Sequence, residues 1–352
     1  MRNILIAVFL SISCLSWAGE PMIVHEWGTV TSLHLPNGDA IPRANGIGIE
    51  DQLPQFVHRN PQLDYFAFGE GTVVKGHPDV VMRLETPVVY FYPGAEHLGK
   101  PFDVKVQFNG GFLNEFYPKA RLAKIKQGGS RMRLKETSVS HLSWSGIRLV
   151  DKGAMLKTGN RVWLAPRQVN SALVQAENGE VEKYLFYRGV AHLPSLMGTR
   201  HDLKKQIVTL LPPANMATHK PWWVPSAWII SVRGDKAAFL PLGGFAINAD
   251  TPNRKINLKK LGEHNSANFK KVRSQVLAAL MADGLYEDEA QAMLNTWGHS
   301  YFKKAGLRIL YIMPKQWAGI HLPISVSMPS QISRTFVGRI NLYPTDFKRR
   351  KL

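Results

Sequence analysis

The chain has 352 residues, of which 45% are hydrophobic and 20% charged, and its formal net charge is +18. This composition excludes a disordered chain, and the length predicts about two domains or one large β-rich domain. So strong a positive charge favours contact with polyanions.

The first 18 residues have the three parts of a cleavable export signal. Arg2 supplies the positive end, residues 4–15 form an apolar run, and Ser16 and Ala18 are the small residues of a cleavage site. The run of about 12 residues is shorter than the ~20 that a membrane-spanning helix needs. We therefore expect cleavage near Ala18, a periplasmic or secreted location, and no transmembrane helix in the mature chain.

The only cysteine, Cys14, lies inside this predicted signal. Cleavage after Ala18 would leave no thiol, which excludes disulfides, cysteine zinc sites and thiol nucleophiles from the mature chain. The alternative is a lipoprotein in which Cys14 becomes the N-terminus. Residues 11–13 lack the leucine that usually stands three positions before such a cysteine, so simple cleavage is favoured.

The motif His25-Glu26-Trp27-Gly28-Thr29 follows the predicted signal closely. A zinc protease helix needs a second histidine four positions after the first, and Thr29 occupies that position. In a strand, His25, Trp27 and Thr29 would share one face and Glu26 and His34 the other, unless Gly28 introduces a bulge. The pair is a candidate divalent metal site or proton-transfer couple. The simpler alternative is that both side chains satisfy nearby backbone groups.

Residues 19–250 are predicted to be a β-rich region of short strands. Apolar and polar side chains alternate in residues 103–108, which is typical of a strand with one buried face. Turn pairs that accept positive φ predict tight hairpins, and these indicate antiparallel, β-sandwich-like sheets. The pairs are Asn37-Gly38, Asn109-Gly110, Asn178-Gly179 and Arg233-Gly234.

Glu85 interrupts an apolar region, so it is expected to be partly buried. Burial of a carboxylate is costly unless an arginine, a histidine or a metal accompanies it. Arg188, at the end of a predicted strand, is a suitable bidentate partner. A buried structural ion pair is the simpler alternative to a role in chemistry.

Residues 119–135 contain seven cations and no acid, which predicts an anion-binding segment. Outside the cytoplasm the abundant polyanions are phosphorylated lipids, cell-wall polymers and acidic polysaccharides, so an anionic envelope polymer or lipid surface is expected as partner, and nucleic acid is not. Retention on that partner should be sensitive to salt. A solvated loop is the simpler alternative. The seven cations are Lys119, Arg121, Lys124, Lys126, Arg131, Arg133 and Lys135.

Residues 211–223 are rich in proline and end in Trp222-Trp223. Two adjacent indoles in such a loop either cover an edge of the core or present aromatic faces to a ligand such as a sugar ring.

Residues 251–352 are predicted to be an α+β region, because the apolar period changes from two to 3.6. Two apolar stripes separated by a very short turn predict a helical hairpin, with Ser266 as the first cap and Gly284 as the first terminator. Strands at 307–313, 324–328 and 334–343 are expected to carry it. The stripes are Phe269, Val272, Val276, Leu277 and Leu280, then Ala290, Met293, Leu294, Trp297 and Tyr301. His299 and Tyr301, at the end of the second, could face a cleft.

The fold class expected from these patterns is α+β, mainly β, with antiparallel sandwich-like sheets and a C-terminal helical hairpin packed on strands. The sequence has no glycine-rich phosphate loop, nucleophile elbow or haem-binding pair. The leading interpretation is a cell-envelope protein that binds an anionic or glycan ligand. The rival is a metal-assisted hydrolase with a site built from His25, Glu26, Glu85 and Arg188.

Several segments spread over almost the whole predicted mature chain carry a family resemblance: 25–29, 85–92, 142–146, 186–189, 284–287, 292–293, 296–297 and 336–339. With them the chain resembles a family of exported bacterial proteins that carry a His-Glu-Trp-Gly-Thr motif just after the signal. The resemblance implies export. It transfers no reaction and no catalytic residue.

Overall fold

The computed structural model describes residues 20–41, 53–66, 79–125, 133–213 and 220–343. The predicted signal peptide, residues 1–18, lies outside these ranges. The described residues form twenty strands, four α-helices, several short 3-10 helices and a π-helix. The fold is α+β and mainly β, as the sequence predicted.

The largest sheet has nine strands in the described ranges. Its central pair is parallel and runs from Met22 beside Ser330 to His34 beside Leu342, while the other pairs are antiparallel. In spatial order the strands are β15 (Lys236–Pro241), β14 (Ala227–Arg233), β18 (Gly306–Ile312), β20 (Ser330–Leu342), β1 (Met22–His34), β3 (Met82–Tyr92), β10 (Leu185–Ala191), β5 (Gly111–Tyr117) and β2 (His58–Arg59). Strands β18 and β20 lie between β14 and β1, so regions 19–250 and 251–352 share this sheet.

Smaller sheets surround it. A six-stranded sheet contains β19 (Ile324–Val326), β4 (Phe102–Asn109), β7 (Val139–Val150), β8 (Leu173–Gln175) and β9 (Val181–Glu182), with β6 (Arg121–Leu122) beside β7. A three-stranded sheet joins β11 (Gly198–Asp202), β12 (Ile207–Leu211) and β17 (Arg254–Asn257), and β13 (Trp222–Val224) pairs with β16 (Phe245–Ile247).

The helices are short except for two. They are α1 (Arg161–Leu164), α2 (Ser266–Ala282), α3 (Glu287–Gly298) and α4 (Lys315–His321), and α3 continues directly into the π-helix His299–Lys303. The 3-10 helices are Pro61–Phe66, Ala95–His97, Pro166–Gln168 and Leu258–Leu261. In the part of the chain that the structure describes, no helix is both long and apolar enough to cross a membrane.

The nine-stranded sheet is the middle layer of the molecule. One face shares a core with the six-stranded sheet, and Val89 belongs to the same core as Val106 and Trp144. The other face packs on α2 and α3, with Trp27 in the same core as Met293. A strand covered on both sides is buried along nearly its whole length, as β1 is, whereas β4 alternates between buried and exposed as its sequence predicted.

Two of the four predicted turns join paired strands as expected. Asn178-Gly179 joins the paired strands β8 and β9, and Arg233-Gly234 joins β14 and β15. At Asn37-Gly38 the structure shows an antiparallel bridge between His34 and Ala40, and residues 42–52 lie outside the described ranges. The hairpin predicted at Asn109-Gly110 is wrong, because β4 belongs to the six-stranded sheet and β5 to the nine-stranded one. Gly110, with φ of +86°, carries the chain from one layer to the next. A turn sets the local direction of the chain, while the side chains select the partner strand.

The predicted helical hairpin is present as α2 and α3. Its first cap is Asn265 rather than Ser266, since the Asn265 side chain accepts a hydrogen bond from the Asn268 amide at 2.7 Å. Gly284, with φ of +116°, follows the end of α2 as predicted. The π-helix at the end of α3 was not predicted.

Candidate functional site

The His-Glu-Trp-Gly-Thr motif lies on β1, in the middle of the central sheet. His25 Nδ1 lies 2.8 Å from Oε2 of Glu289 at the start of α3, on the helical face. Glu26 accepts hydrogen bonds from the Tyr187 hydroxyl and from Nε of Arg334, on the face toward the six-stranded sheet. Because the neighbours point to opposite faces, their side chains do not meet at one metal ion.

Glu26 is fully buried. Its ion pair with Arg334 and its hydrogen bond with Tyr187 connect three strands. Burial by itself would lower the pKa of Arg334, but the adjacent Glu26 carboxylate outweighs it and the pKa is raised. Burial raises the pKa of the Tyr187 hydroxyl, and Glu26 raises it further, so this group remains a donor. The network holds β1, β10 and β20 together.

Glu85 is buried on β3 and has arginine partners, as predicted for a carboxylate in an apolar region. Its carboxylate lies 2.7 Å from Nη2 of Arg83 and 3.0 Å from Nη2 of Arg339, and it accepts the Thr31 hydroxyl at 3.0 Å. Thr31 stands beside both arginines in the sheet register. The partners therefore come from the neighbouring positions of the ladder itself.

Arg188, the predicted partner of Glu85, donates Nε to Glu115 on β5. The two residues are directly opposite in the antiparallel ladder of β10 and β5, where side chains share one face and lie close together. His25, Glu26 and Glu85 each meet a different set of partners, so the structure does not bring the four candidates into one site. Throughout the described ranges, no group of three or more histidine, aspartate or glutamate side chains is placed to hold a metal ion.

The described cations of the basic segment 119–135 are exposed, and part of their charge is neutralised. Arg133 pairs with Asp79 through Nε at 2.7 Å and Nη2 at 2.9 Å, and this hydrogen-bonded carboxylate raises the pKa of Arg133. Arg121 lies 3.6 Å from Glu177. The exposed Lys119, Lys124 and Lys135 form no ion pair with another described residue, and Lys126 and Arg131 lie outside the described residues.

A cleft of about 520 Å³ opens at the C-terminal end of α3. Its walls are α1 with the adjoining 3-10 helix, α2, α3 and the π-helix. The described residues that line it include no aspartate or glutamate. They provide cationic or titratable groups at Arg161, Arg273, His299 and Lys303, and an apolar surface at Leu164, Phe269, Leu294 and Phe302.

Arg273 is the half-buried cation of this cleft, whereas Arg161 and Lys303 are exposed. Its guanidinium donates to two amide oxygens, Oε1 of Gln291 at 3.4 Å and Oδ1 of Asn295 at 3.0 Å. Burial lowers the pKa of Arg273. Among the described residues it forms no ion pair, so its charge is desolvated without a counter-ion, and a bound anion would offset that cost.

The π-helix forms the wall that presents His299, Phe302 and Lys303. It is held from behind by Arg308 of β18, which donates to the main-chain carbonyls of Ser300, Tyr301 and Lys304. Burial, and then the nearby Arg339, lowers the pKa of Arg308 to about 9. Short π-helical segments are found frequently at functional sites.

Of the two residues singled out at the end of α3, His299 lines the cleft. Tyr301 is fully buried and bonds to the hydroxyl of Thr29.

The two indoles of the proline-rich segment have separate environments. Trp222 is partly buried and packs against the larger core, while Trp223 is 58% exposed. One indole thus covers the core edge, and the other offers an aromatic face to solvent.

No family model matches the chain, and no curated protein matches it. The functional interpretation therefore rests on the geometry of the cleft and its surroundings. Arg161 and Arg273 were missed in the sequence because they stand far apart and each is an ordinary surface-type residue. His299 was the one signal that pointed to this place.

Proposed function

We propose that this protein is an exported binding protein that takes an amphipathic anion into the cleft at the C-terminal end of α3. The observation that carries the proposal is the lining of the cleft, which combines cationic with apolar side chains and, among the described residues, includes no carboxylate.

The cleft has an apolar and a cationic part, which together favour a ligand with an apolar end and an anionic end. Phe269, Leu294 and Phe302 offer apolar surface to a hydrocarbon or ring, and burial of that surface gives the non-directional part of the affinity. The guanidinium of Arg273 is suited to a phosphate or carboxylate, which it can bind through two parallel hydrogen bonds. Phosphorylated lipids combine both ends and are among the polyanions of a cell envelope.

Export is the second part of the proposal. It is supported by the charged, apolar and small-residue pattern of residues 1–18 and by the resemblance to exported bacterial proteins. The intact mass of the protein recovered from the periplasm or medium should correspond to cleavage after Ala18. A mass that retains Met1 would contradict export by this signal, and a lipidated mass starting at Cys14 would replace it with membrane anchoring.

Titration calorimetry with three probes tests the binding. We expect hexyl phosphate to bind more tightly than inorganic phosphate, which lacks the apolar end, and than hexanol, which lacks the anion. Loss of a charge-assisted hydrogen bond costs about 1.5–3 kcal/mol, so Arg273→Gln should weaken hexyl phosphate by about tenfold or more.

The matched control is Arg121→Gln, which removes an exposed and already paired guanidinium outside the cleft. It should leave the affinity unchanged. Equal binding of hexanol and hexyl phosphate, or an equal effect of the two substitutions, would contradict the proposal.

A further inference from the structure

A second polar cluster lies at the opposite end of α3, where the helix begins. Glu289 is fully buried there and accepts three hydrogen bonds, from His25 Nδ1 at 2.8 Å, from the Tyr92 hydroxyl at 2.8 Å and from the Tyr286 amide at 2.7 Å. Burial and the Glu289 carboxylate raise the pKa of Tyr92, which keeps this hydroxyl protonated as a donor. Three donors hold the carboxylate in place.

The contact with Glu289 fixes the orientation of the His25 ring. Because a carboxylate accepts at Nδ1, that nitrogen carries a proton, and in the neutral ring the lone pair is therefore on Nε2. The ring is packed between Tyr92, with centroids 5.3 Å apart, and Tyr286, at 4.6 Å. Nε2 makes no hydrogen bond to any residue that the structure describes, while Tyr286 is 43% exposed and marks the boundary with solvent.

Ser333 is the residue of β20 directly beside His25 in the parallel register. Neighbouring strands lie about 4.8 Å apart, and register partners share a face, so the serine hydroxyl is placed next to the imidazole. Ser333 is half-buried, and its hydroxyl has no hydrogen bond to the described part of the chain. A Cβ at Gly284 would stand 2.7 Å from Ser333 Oγ, so this glycine keeps the space in front of the hydroxyl open.

We propose that Ser333, His25 and Glu289 form a nucleophile, a base and an orienting carboxylate that hydrolyse carboxylic esters. Ser333 and His25 are the catalytic residues, and Glu289 is a positioning residue. The strand register places a nucleophile beside a base, and a third group orients that base, which are the three groups that such a site needs. This activity is independent of the binding cleft, since α3 separates Glu289 from His299 by about 15 Å.

In the first step Ser333 Oγ attacks the ester carbonyl carbon, and its proton passes to His25 Nε2. The imidazolium is stabilised by Glu289 and gives this proton to the leaving alcohol as the bond between the acyl carbon and the alcohol oxygen breaks. Water then attacks the acyl-serine, again losing a proton to Nε2. That proton returns to Ser333 Oγ as the carboxylic acid leaves, which restores the starting state.

The chain contains a matched control pair. His264 Nε2 lies 2.9 Å from the hydroxyl of Ser231, so these two residues are within nucleophile and base distance. Within the described ranges His264 has no carboxylate partner, and burial and the charge of Arg233 lower its pKa. The proposal therefore distinguishes two serine and histidine pairs by the presence of Glu289.

The experiment is to treat the purified full chain with a fluorophosphonate probe and locate the label by peptide mass spectrometry, and to measure hydrolysis of p-nitrophenyl butyrate. We expect the label on Ser333, and a fall in the hydrolysis rate of at least about 100-fold in Ser333→Ala, while Ser231→Ala keeps the label and the rate. Glu289→Gln should also change the pH profile of hydrolysis, because this variant lacks the carboxylate that orients the imidazole and stabilises the imidazolium.

A circular dichroism melt of each variant separates loss of the site from loss of the fold. Ser333→Ala removes only a half-buried hydroxyl, so it should fold. Absence of label on Ser333 in the wild-type protein, or equal hydrolysis by wild type and Ser333→Ala, would overturn the proposal whatever the variants of His25 and Glu289 do.

Discussion

Two cationic regions of this molecule look alike in the sequence and differ in the structure. In the basic segment 119–135, Arg121 and Arg133 are exposed and face Glu177 and Asp79. In the cleft at the end of α3, Arg273 is half-buried and bonded to neutral amide oxygens. The number of cations in a segment therefore does not determine its electrostatic potential. Carboxylates from distant parts of the chain neutralise some cations and leave others available to bind an anion.

Paired and unpaired arginines differ in the free energy that they gain from binding an anion. A paired, solvated arginine gains little from a further anion, since water and the existing carboxylate already stabilise its charge. A desolvated arginine without a counter-ion gains more from the same anion. The following predictions test this distinction between paired and unpaired cations.

The largest effect should come from breaking a paired cation in the core. Arg334→Gln leaves the carboxylate of Glu26 buried without its counter-ion, and removal of one partner of a buried pair costs about 3–5 kcal/mol. The free energy of unfolding in urea should fall by that amount, against less than about 1 kcal/mol for Arg121→Gln at the exposed pair with Glu177. Equal losses in the two variants would remove the distinction between buried and exposed pairs.

Low pH should have the next largest effect on stability, because a protonated histidine would be an unpaired cation in the interior. Burial, and then the nearby His201, lowers the pKa of His34 to about 4 from 6.5. Between these two pH values His34 binds a proton in the unfolded chain but not in the folded chain. The free energy of unfolding should therefore fall as the pH drops from about 6.5 to about 4. For His34 alone the loss is about 3 kcal/mol.

Urea midpoints measured between pH 7 and pH 4.5 check this. His34→Asn, which can keep the hydrogen bond to the Thr199 hydroxyl, should reduce the slope with pH. It should not abolish the slope, since burial also lowers the pKa of His201, His264 and His321. A wild-type midpoint that does not depend on pH would contradict the prediction.

A smaller effect is expected at a membrane surface. The exposed Lys119, Lys124 and Lys135 should attract anionic vesicles by about 1 kcal/mol each. Cosedimentation with vesicles that contain phosphatidylglycerol should fall several-fold when all three become glutamine, and it should fall with added salt. The matched control is a double variant in which the paired Arg121 and Arg133 both become glutamine. A greater loss of cosedimentation in this control would contradict the prediction.

The smallest effect concerns stability at the cleft. Arg273→Gln removes a cation that has no counter-ion in the described structure, so the free energy of unfolding should stay within about 0.5 kcal/mol of wild type. The same variant is expected to lose ligand affinity. A loss of several kcal/mol in stability would show that Arg273 supports the fold rather than a ligand.

Features that depend on local spacing could be predicted from the sequence. The apolar stripes indicated α2 and α3, the Arg233-Gly234 turn indicated the β14 and β15 hairpin, and the apolar surroundings of Glu85 indicated a buried carboxylate with arginine. Each of these follows from the chemistry of a few neighbouring residues. Helix α4 has only seven residues, too few to show a helical period.

Features that depend on remote pairing could not be predicted. The turn at Gly110 gave no information on which sheets would accept β4 and β5. The polar residues of β1 concealed that this strand is covered on both faces, because His25, Glu26 and Thr31 find partners on other strands and on α3. The cleft unites Arg161 with Arg273, and nothing in either segment indicates the other.

A crystal structure of the protein with hexyl phosphate tests the central claim most directly. The account predicts the phosphate within hydrogen-bond distance of the Arg273 guanidinium, with the alkyl chain against Phe269 and Phe302. Phosphate bound instead at Lys119, Lys124 or Lys135, with the cleft left without ligand at saturating concentration, would contradict it.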